Sequence, residues 1–269
     1  MKFVSGAILS VSVLAGFLAA MPSRAEDAPA AAAAPAAAPA AAPACEIPDY
    51  LLSGDAVLPK VAEALKAGGP LNILVVGSRS STINVTANTS EAAAYPAQMQ
   101  AALKEKLPAI EVNVSVEIQA KKIAEEVAAG LSKLVEGKKP TLVIWQTGTV
   151  DAMRSVDPDD FRAAVDEGVV ALRDAGADAI LINPQYSPRT ESMISASPYL
   201  DNMRVVAQEH EVPLFDRFAL MQMWSEAGEF DLFTAVHSSE LAKRVHSCLG
   251  RALSQFIIAA AHPKPAQEN

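Results

Sequence analysis

Short apolar runs alternate with amphipathic stretches along most of the chain, and this alternation constrains the fold more than any other feature. The runs "LNILVVG" from Leu71, "IEVNVSVEI" from Ile110, "TLVIWQTG" from Thr141, "DAILINPQ" from Asp178 and "VPLFD" from Val212 read as strands. Between and around them lie helix-like segments. "LPKVAEALKAGG" closes at Gly68-Gly69, "YPAQMQAALKEKL" ends at Pro108, and "KKIAEEVAAGLSKLVEG" is expected to stop at Gly137. "DPDDFRAAVDEGVVALRDAG" has Asp157 as N-cap, Pro158 in the first turn and Gly176 as C-cap. "PYLDNMRVVAQEHE", a stretch around Ala219 to Ala227, and "SELAKRVHSCLGRALSQFIIAAA" complete the set. Strands joined through helices form right-handed βαβ units, which make the sheet parallel. The expected fold class is therefore α/β, a three-layer α/β/α sandwich.

The N-terminal region does not belong to that pattern. Lys2 is a positive start, residues 3–21 are apolar and small, and Ser23 and Ala25 occupy the small positions of a cleavage site. Residues 1–25 are thus expected to be a secretory signal peptide, removed from the mature chain and leaving no membrane span. The expected location is periplasmic or secreted. Residues 26–44 form an Ala/Pro-rich spacer. Its 28–44 portion, "APAAAAAPAAAPAAAPA", has no side chains for a core, and its prolines block a continuous helix. Residues 45–262 suit one domain, and residues 263–269 read as a disordered tail.

Charge and cysteine usage narrow the function. Formal net charge is −9, and removing Lys2 and Arg24 from the 22 basic residues leaves 20 against 31 acidic ones. That balance argues against nucleic acid and anionic membrane surfaces as partners. Cys45 and Cys248 are the only cysteines, and in an exported chain they are expected to form one disulfide joining the two ends of the domain. The sequence contains no CxxC, and no His/Asp cluster has ligand spacing, so no metal or other cofactor is expected.

Chemistry in a parallel sheet belongs at the carboxyl ends of the strands. The first strand opens there into "GSRSST", Gly77 to Thr82. One glycine without a GKS or GKT sequence does not cradle phosphate. A serine nucleophile is the other reading, and it needs a histidine to take its proton. Of four histidines, His262 borders the tail, His210 in "QEHE" reads as solvated, and His246 within the last helix reads as a packing or surface residue. His237, in the loop before that helix, is the candidate base.

The order of these segments resembles the SGNH/GDSL-type hydrolase family over roughly residues 71–251: a strand ending in a Gly/Ser turn, then "AYPAQMQAAL", a strand ending "WQTGTVD", and a histidine loop before a C-terminal helix. That resemblance implies a flavodoxin-like parallel sheet and an ester hydrolase acting on a small-molecule or carbohydrate O-acyl ester, as esterase or deacetylase. Matching "SST" to a variant GSSST turn implies Ser80 as nucleophile, with Ser78 as alternate, His237 as base and Asp231 as its orienting acid. Gly77, Arg79, Gln146, Gly148 and Thr149 are then the oxyanion and substrate residues. The departures are clear. Arg79 stands where GDS would place serine, and Val150 replaces the asparagine of GxND. Thr234 replaces the acid three residues before His237. Asp151 reads either as the last residue of that third motif or as a loop or N-cap acid. Acyl transfer would use the same residues as hydrolysis. A non-catalytic envelope protein that binds a glycan or partner in the same cleft is the alternative.

Overall fold

A computed structural model describes residues 45–83 apart from 53 and 55, residues 91–233 and residues 239–262, all within the unit Pro43–Asn269. The expected leader, spacer and tail, together with Thr234 and His237, lie outside the described residues. Ten helices and five strands follow one another among those that are described. They are α1 (Asp49–Leu52), α2 (Pro59–Ala67), β1 (Leu71–Gly77), α3 (Tyr95–Lys106), β2 (Val112–Ile118), α4 (Ala124–Lys138), β3 (Leu142–Gln146) and α5 (Thr149–Arg154). Then come α6 (Pro158–Asp174), β4 (Asp178–Ile182), α7 (Pro188–Glu191), α8 (Ser197–Glu209), β5 (Leu214–Phe215), α9 (Arg217–Glu226) and α10 (Ser239–Ala261).

All strand pairs are parallel and the sheet order is β2-β1-β3-β4-β5, the flavodoxin-like arrangement. Alternation along β1 separates the two cores. Leu71, Ile73 and Val75 pack with Val61 of α2, Met99 of α3, Trp224 of α9 and Leu253 of α10. Leu74 and Val76 face the other way, against Leu131 of α4, Val165 of α6 and Met203 of α8. A period of two on the strands and an apolar stripe on each helix therefore produce three layers.

Local signals explain most boundaries. Asp157 caps α6 by accepting from the Asp159 N–H at 2.9 Å, with Pro158 in the first turn. The α4 boundary departs from expectation. The helix runs through Gly137 to Lys138, and Lys139 takes the left-handed turn at φ 47°. A glycine within a helix costs only about 1 kcal/mol, and Leu131 and Val135 packed against the sheet outweigh that. Cys45 and Cys248 are disulfide-bonded with their Cα atoms 5.5 Å apart, which ties the start of the domain to α10.

The sheet order reverses between β1 and β3: the chain leaves β1 for β2 on one side and returns to β3 on the other. Such a switch point leaves a crevice at the strand ends. Gly77 and Gln146 are the last residues of the two strands that border it.

Candidate active site

The turn after β1 is a single 3-10 turn, Arg79–Ser81, preceded by Ser78 in extended conformation. A Cβ on Gly77 would overlap the Ser81 hydroxyl, so only glycine lets the chain fold back here. Ser78 holds the cap position: its Oγ lies 3.4 Å from the Ser80 N–H. Ser80 is therefore inside the turn, not capping it. It is half-buried, whereas Ser81 points into the core with 1% of its surface exposed and Arg79 points outward.

Gln146 connects the buried and accessible sides of this turn. Its Oε1 accepts from Ser81 Oγ at 2.6 Å and from the Tyr95 hydroxyl at 3.3 Å. Its Nε2 donates to Ser80 Oγ at 2.7 Å and to Ser78 Oγ at 2.9 Å. Both ends of the buried amide are filled, which fixes which end faces the serines. Ser78 and Ser80 hydroxyls are themselves 3.1 Å apart. An N–H held this way can stabilise charge developing at Ser80.

A cationic side chain also reaches Ser80. Arg217, the first residue of α9, has its Nη1 3.3 Å from Ser80 Oγ and its Nη2 3.4 Å from the Ser80 carbonyl. Burial lowers its pKa to about 10, so it remains charged at neutral pH. Sequence reasoning offered Arg79 instead, which is exposed. The signal for Arg217 was its place directly after a short parallel strand, at the end of the sheet where ligands bind.

Other predicted residues fall into distinct settings. Gly148 adopts φ 89° at the start of α5, and a Cβ there would lie 3.2 Å from Pro184 and 3.3 Å from Phe161. Thr149 has a buried hydroxyl with no hydrogen-bond partner among the described residues, and it lines a small recess with Ser78, Gln146 and Asp151. Asp151 lies within α5 rather than at its N-cap, and its Oδ1 accepts from the Ala124 N–H at the start of α4 at 2.8 Å, while burial pushes its carboxyl up. Asp231 is exposed and accepts from the Phe233 N–H at 3.1 Å. Among the described residues, no three His, Cys, Asp or Glu side chains gather to hold a metal ion.

The two histidines of the helices are both built in. His210 is not solvated, as "QEHE" suggested. Its Nε2 lies 2.6 Å from Asp166 Oδ1 with 15% of its side chain exposed, because the packing of α8 on α6 sets those two side chains together. His246 is buried, and its Nδ1 accepts from the Tyr95 N–H at 3.0 Å. Burial and then the Arg217 charge push its pKa down to about 3. The unfolded value is ~6.5, so neutral His246 contributes stability above that pH. The contribution is lost as the pH falls toward 3. One proton gives a slope of about 1.4 kcal/mol per pH unit across that window. His246→Asn should flatten the acid-side slope in urea melts, since its oxygen can still accept from Tyr95 but does not titrate. Asp151 and Asp178, both pushed up by burial, act in the opposite sense and are unchanged in the variant. Equal slopes for the two proteins would remove His246 from this role.

Comparison with known proteins places this geometry in context. A family described as non-GDSL lipase-like matches residues 44–263. No curated protein matches the sequence. Among solved structures, TesA superposes with a TM-score of 0.51 at 19% identity, covering 68% of this chain and 98% of that one. The psychrotrophic esterase EstA from Pseudoalteromonas sp. gives 0.52 at 14% identity, covering 69% and 98%. The acetylxylan esterase Axe2 from Geobacillus stearothermophilus gives 0.55 at 17% identity, covering 69% and 93%. At these identities the likeness is one of fold. Among the described residues, no helix is long and apolar enough to cross a membrane.

Proposed function

Because the chain belongs to the non-GDSL lipase-like family, we propose that it is a serine ester hydrolase that removes small O-acyl groups, with Ser80 as nucleophile. The observation that carries this reading is the placement of Ser80. Its half-buried hydroxyl lies at the switch point of the sheet, 2.7 Å from the fixed Gln146 Nε2. Gln146 takes over the donor role that Val150 cannot supply. Ser80 Oγ attacks the acyl carbon and passes its proton to His237, which Asp231 orients. The acyl–oxygen bond breaks, the departing alkoxide takes that proton, and water then cleaves the acyl-enzyme by the same exchange. An alcohol in place of water would give acyl transfer.

The recess beside Ser78, Gln146 and Thr149 has room for about one water-sized group. The acetylxylan esterase that names one structural neighbour supports acetyl as the acyl group. A carbohydrate or cell-envelope ester reached by an exported protein is the substrate class we infer. The experiment is covalent trapping. Diethyl p-nitrophenyl phosphate should phosphorylate one residue, with one p-nitrophenolate released per chain, and peptide mass mapping should find the adduct at Ser80. An adduct at Ser78 would move the nucleophile by two residues. No adduct together with no turnover of p-nitrophenyl acetate would leave the alternative, a cleft that binds a glycan or partner without catalysis.

A further inference from the structure

Arg217 is 2% exposed, yet among the described residues the groups it meets, Ser80, Gln185 and Tyr95, are neutral. Its Nη2 donates to Gln185 Oε1 at 2.9 Å, with the Ser80 carbonyl 3.4 Å away, and its Nη1 meets Ser80 Oγ at 3.3 Å. Its guanidinium carbon lies 5.9 Å from the Tyr95 ring centre, and its Nε has no partner among the described residues. The adjacent carboxylate does not serve it. Asp216 accepts from Asn183 Nδ2 at 2.7 Å and from the Ala219 N–H at 3.0 Å, and pairs with Arg204 at 3.1 Å. Among the described residues, Arg217 has no ion pair. A buried charge without a counter-ion destabilises a fold relative to an apolar side chain of similar size. Such a group is stabilised when an anion arrives beside it.

We propose that Arg217 makes the Ser80 hydroxyl an anion-binding position, and that Arg217 is thereby a catalytic residue that holds the oxyanion of acyl transfer. The second half rests on Ser80 being the nucleophile; the first does not. Ser80 Oγ already meets two donors, Gln146 Nε2 and Arg217 Nη1, which fill its lone pairs, while its own proton can reach Ser78 Oγ at 3.1 Å. When Oγ bonds to the acyl carbon, one of its lone pairs becomes that bond. The carbonyl π electrons move onto the carbonyl oxygen, and the Ser80 proton leaves to the base. The new oxyanion is bonded to the same carbon as Oγ, so Nη1 can pass from Oγ to it as a charge-assisted donor. This charged donor works beside Gln146 in a site whose third motif lacks the asparagine, with Val150 in its place. Losing one such donor typically costs about 10²–10³ in kcat.

The test uses the full chain, the variants Arg217→Met, Arg217→Lys and Ser80→Ala, and methylphosphonate as a tetrahedral anion. Without ligand, Arg217→Met should melt at or above the wild-type temperature, since it replaces an unpaired buried charge. Methylphosphonate should raise the melting temperature of wild type and Ser80→Ala, and not that of Arg217→Met. Turnover of p-nitrophenyl acetate by Arg217→Met should fall by about 10²–10³ in kcat with little change in KM. Arg217→Lys should retain part of both effects, because it keeps the charge without the fork. Equal methylphosphonate shifts in wild type and Arg217→Met, or no shift in wild type, would overturn the proposal. So would an Arg217→Met protein that fails to fold alongside an Arg217→Lys protein that folds but shows no shift. Turnover that survives Ser80→Ala, with the shift still dependent on Arg217, would remove Ser80 as nucleophile and leave the anion site standing.

Discussion

Ser80→Ala should lower the turnover of p-nitrophenyl acetate by roughly 10⁴-fold or more, the scale of losing the nucleophile from a unit that acts together. The loss should appear in kcat with the fold intact. Ser80 is half-buried, and Ser78, not Ser80, caps the turn. Ser78→Ala should cost less, because it removes a second acceptor for Gln146 Nε2 and a cap but not the attacking atom. Ser81→Ala should also cost less in rate and more in stability. It strips the shorter of two buried donors from Gln146 Oε1, leaving the Tyr95 hydroxyl at 3.3 Å, and the loss of one such hydrogen bond costs about 0.5–1.5 kcal/mol. Melting temperatures alongside the rates separate these effects. Turnover of Ser80→Ala within tenfold of wild type would end the assignment.

The largest stability effect is expected at Gly168→Val. Gly168 lies on α6, and a Cβ there would overlap the six-membered ring of Trp145 and come within 3.2 Å of Leu131 Cδ1. Trp145 has none of its surface exposed and is the fourth residue of a five-residue buried strand, so the ring has nowhere to move. Overpacking a tight core costs typically 1–3 kcal/mol and occasionally more. A β-branched side chain compensates with only about 0.3 kcal/mol of helix preference over glycine. A loss of about 3 kcal/mol corresponds to a fall of roughly 6–12 °C in melting temperature for a domain of this size. The smaller Gly168→Ala separates two opposing terms. Helix propensity favours alanine by about 1 kcal/mol, while the clash opposes it. We expect the clash to win, and Trp145→Phe to relieve it in a double-mutant cycle. Because Trp145 precedes Gln146, Gly168→Val should also lower turnover by displacing the amide from Ser80. A melting temperature within 2 °C of wild type would show that α6 can shift away from the sheet at little cost.

The sequence by itself carried the architecture. Strands of period two and helices of period 3.6 are local signals, and so are Asp157 as a cap, Pro158 after it, and the glycine before the serine turn. The α/β class, the parallel sheet and the disulfide between Cys45 and Cys248 were all legible at that level. Gln146 could be named because it ends a strand whose neighbour carries the serines. His237 could be named as a base on its place in the chain, and it lies outside the described residues. Lys139 as the turn after α4, and His210 against Asp166, were not legible. Each depends on which helix packs beside which, and that is decided by tertiary contacts stronger than a single residue's preference.

The arrangement around Ser80 was decided only by the tertiary structure. Arg217 lies 137 residues from Ser80 along the chain, and Tyr95 meets a histidine 151 residues away. A local pattern cannot report such pairs, because they follow from sheet order, from which β5 and α10 arrive at the same end as β1. The orientation of the Gln146 amide likewise required the buried hydroxyls of Ser81 and Tyr95 to be placed first. Periodicity tells which face of an element is buried. Only the folded chain tells which polar groups meet there, and whether a buried cation has found a counter-charge.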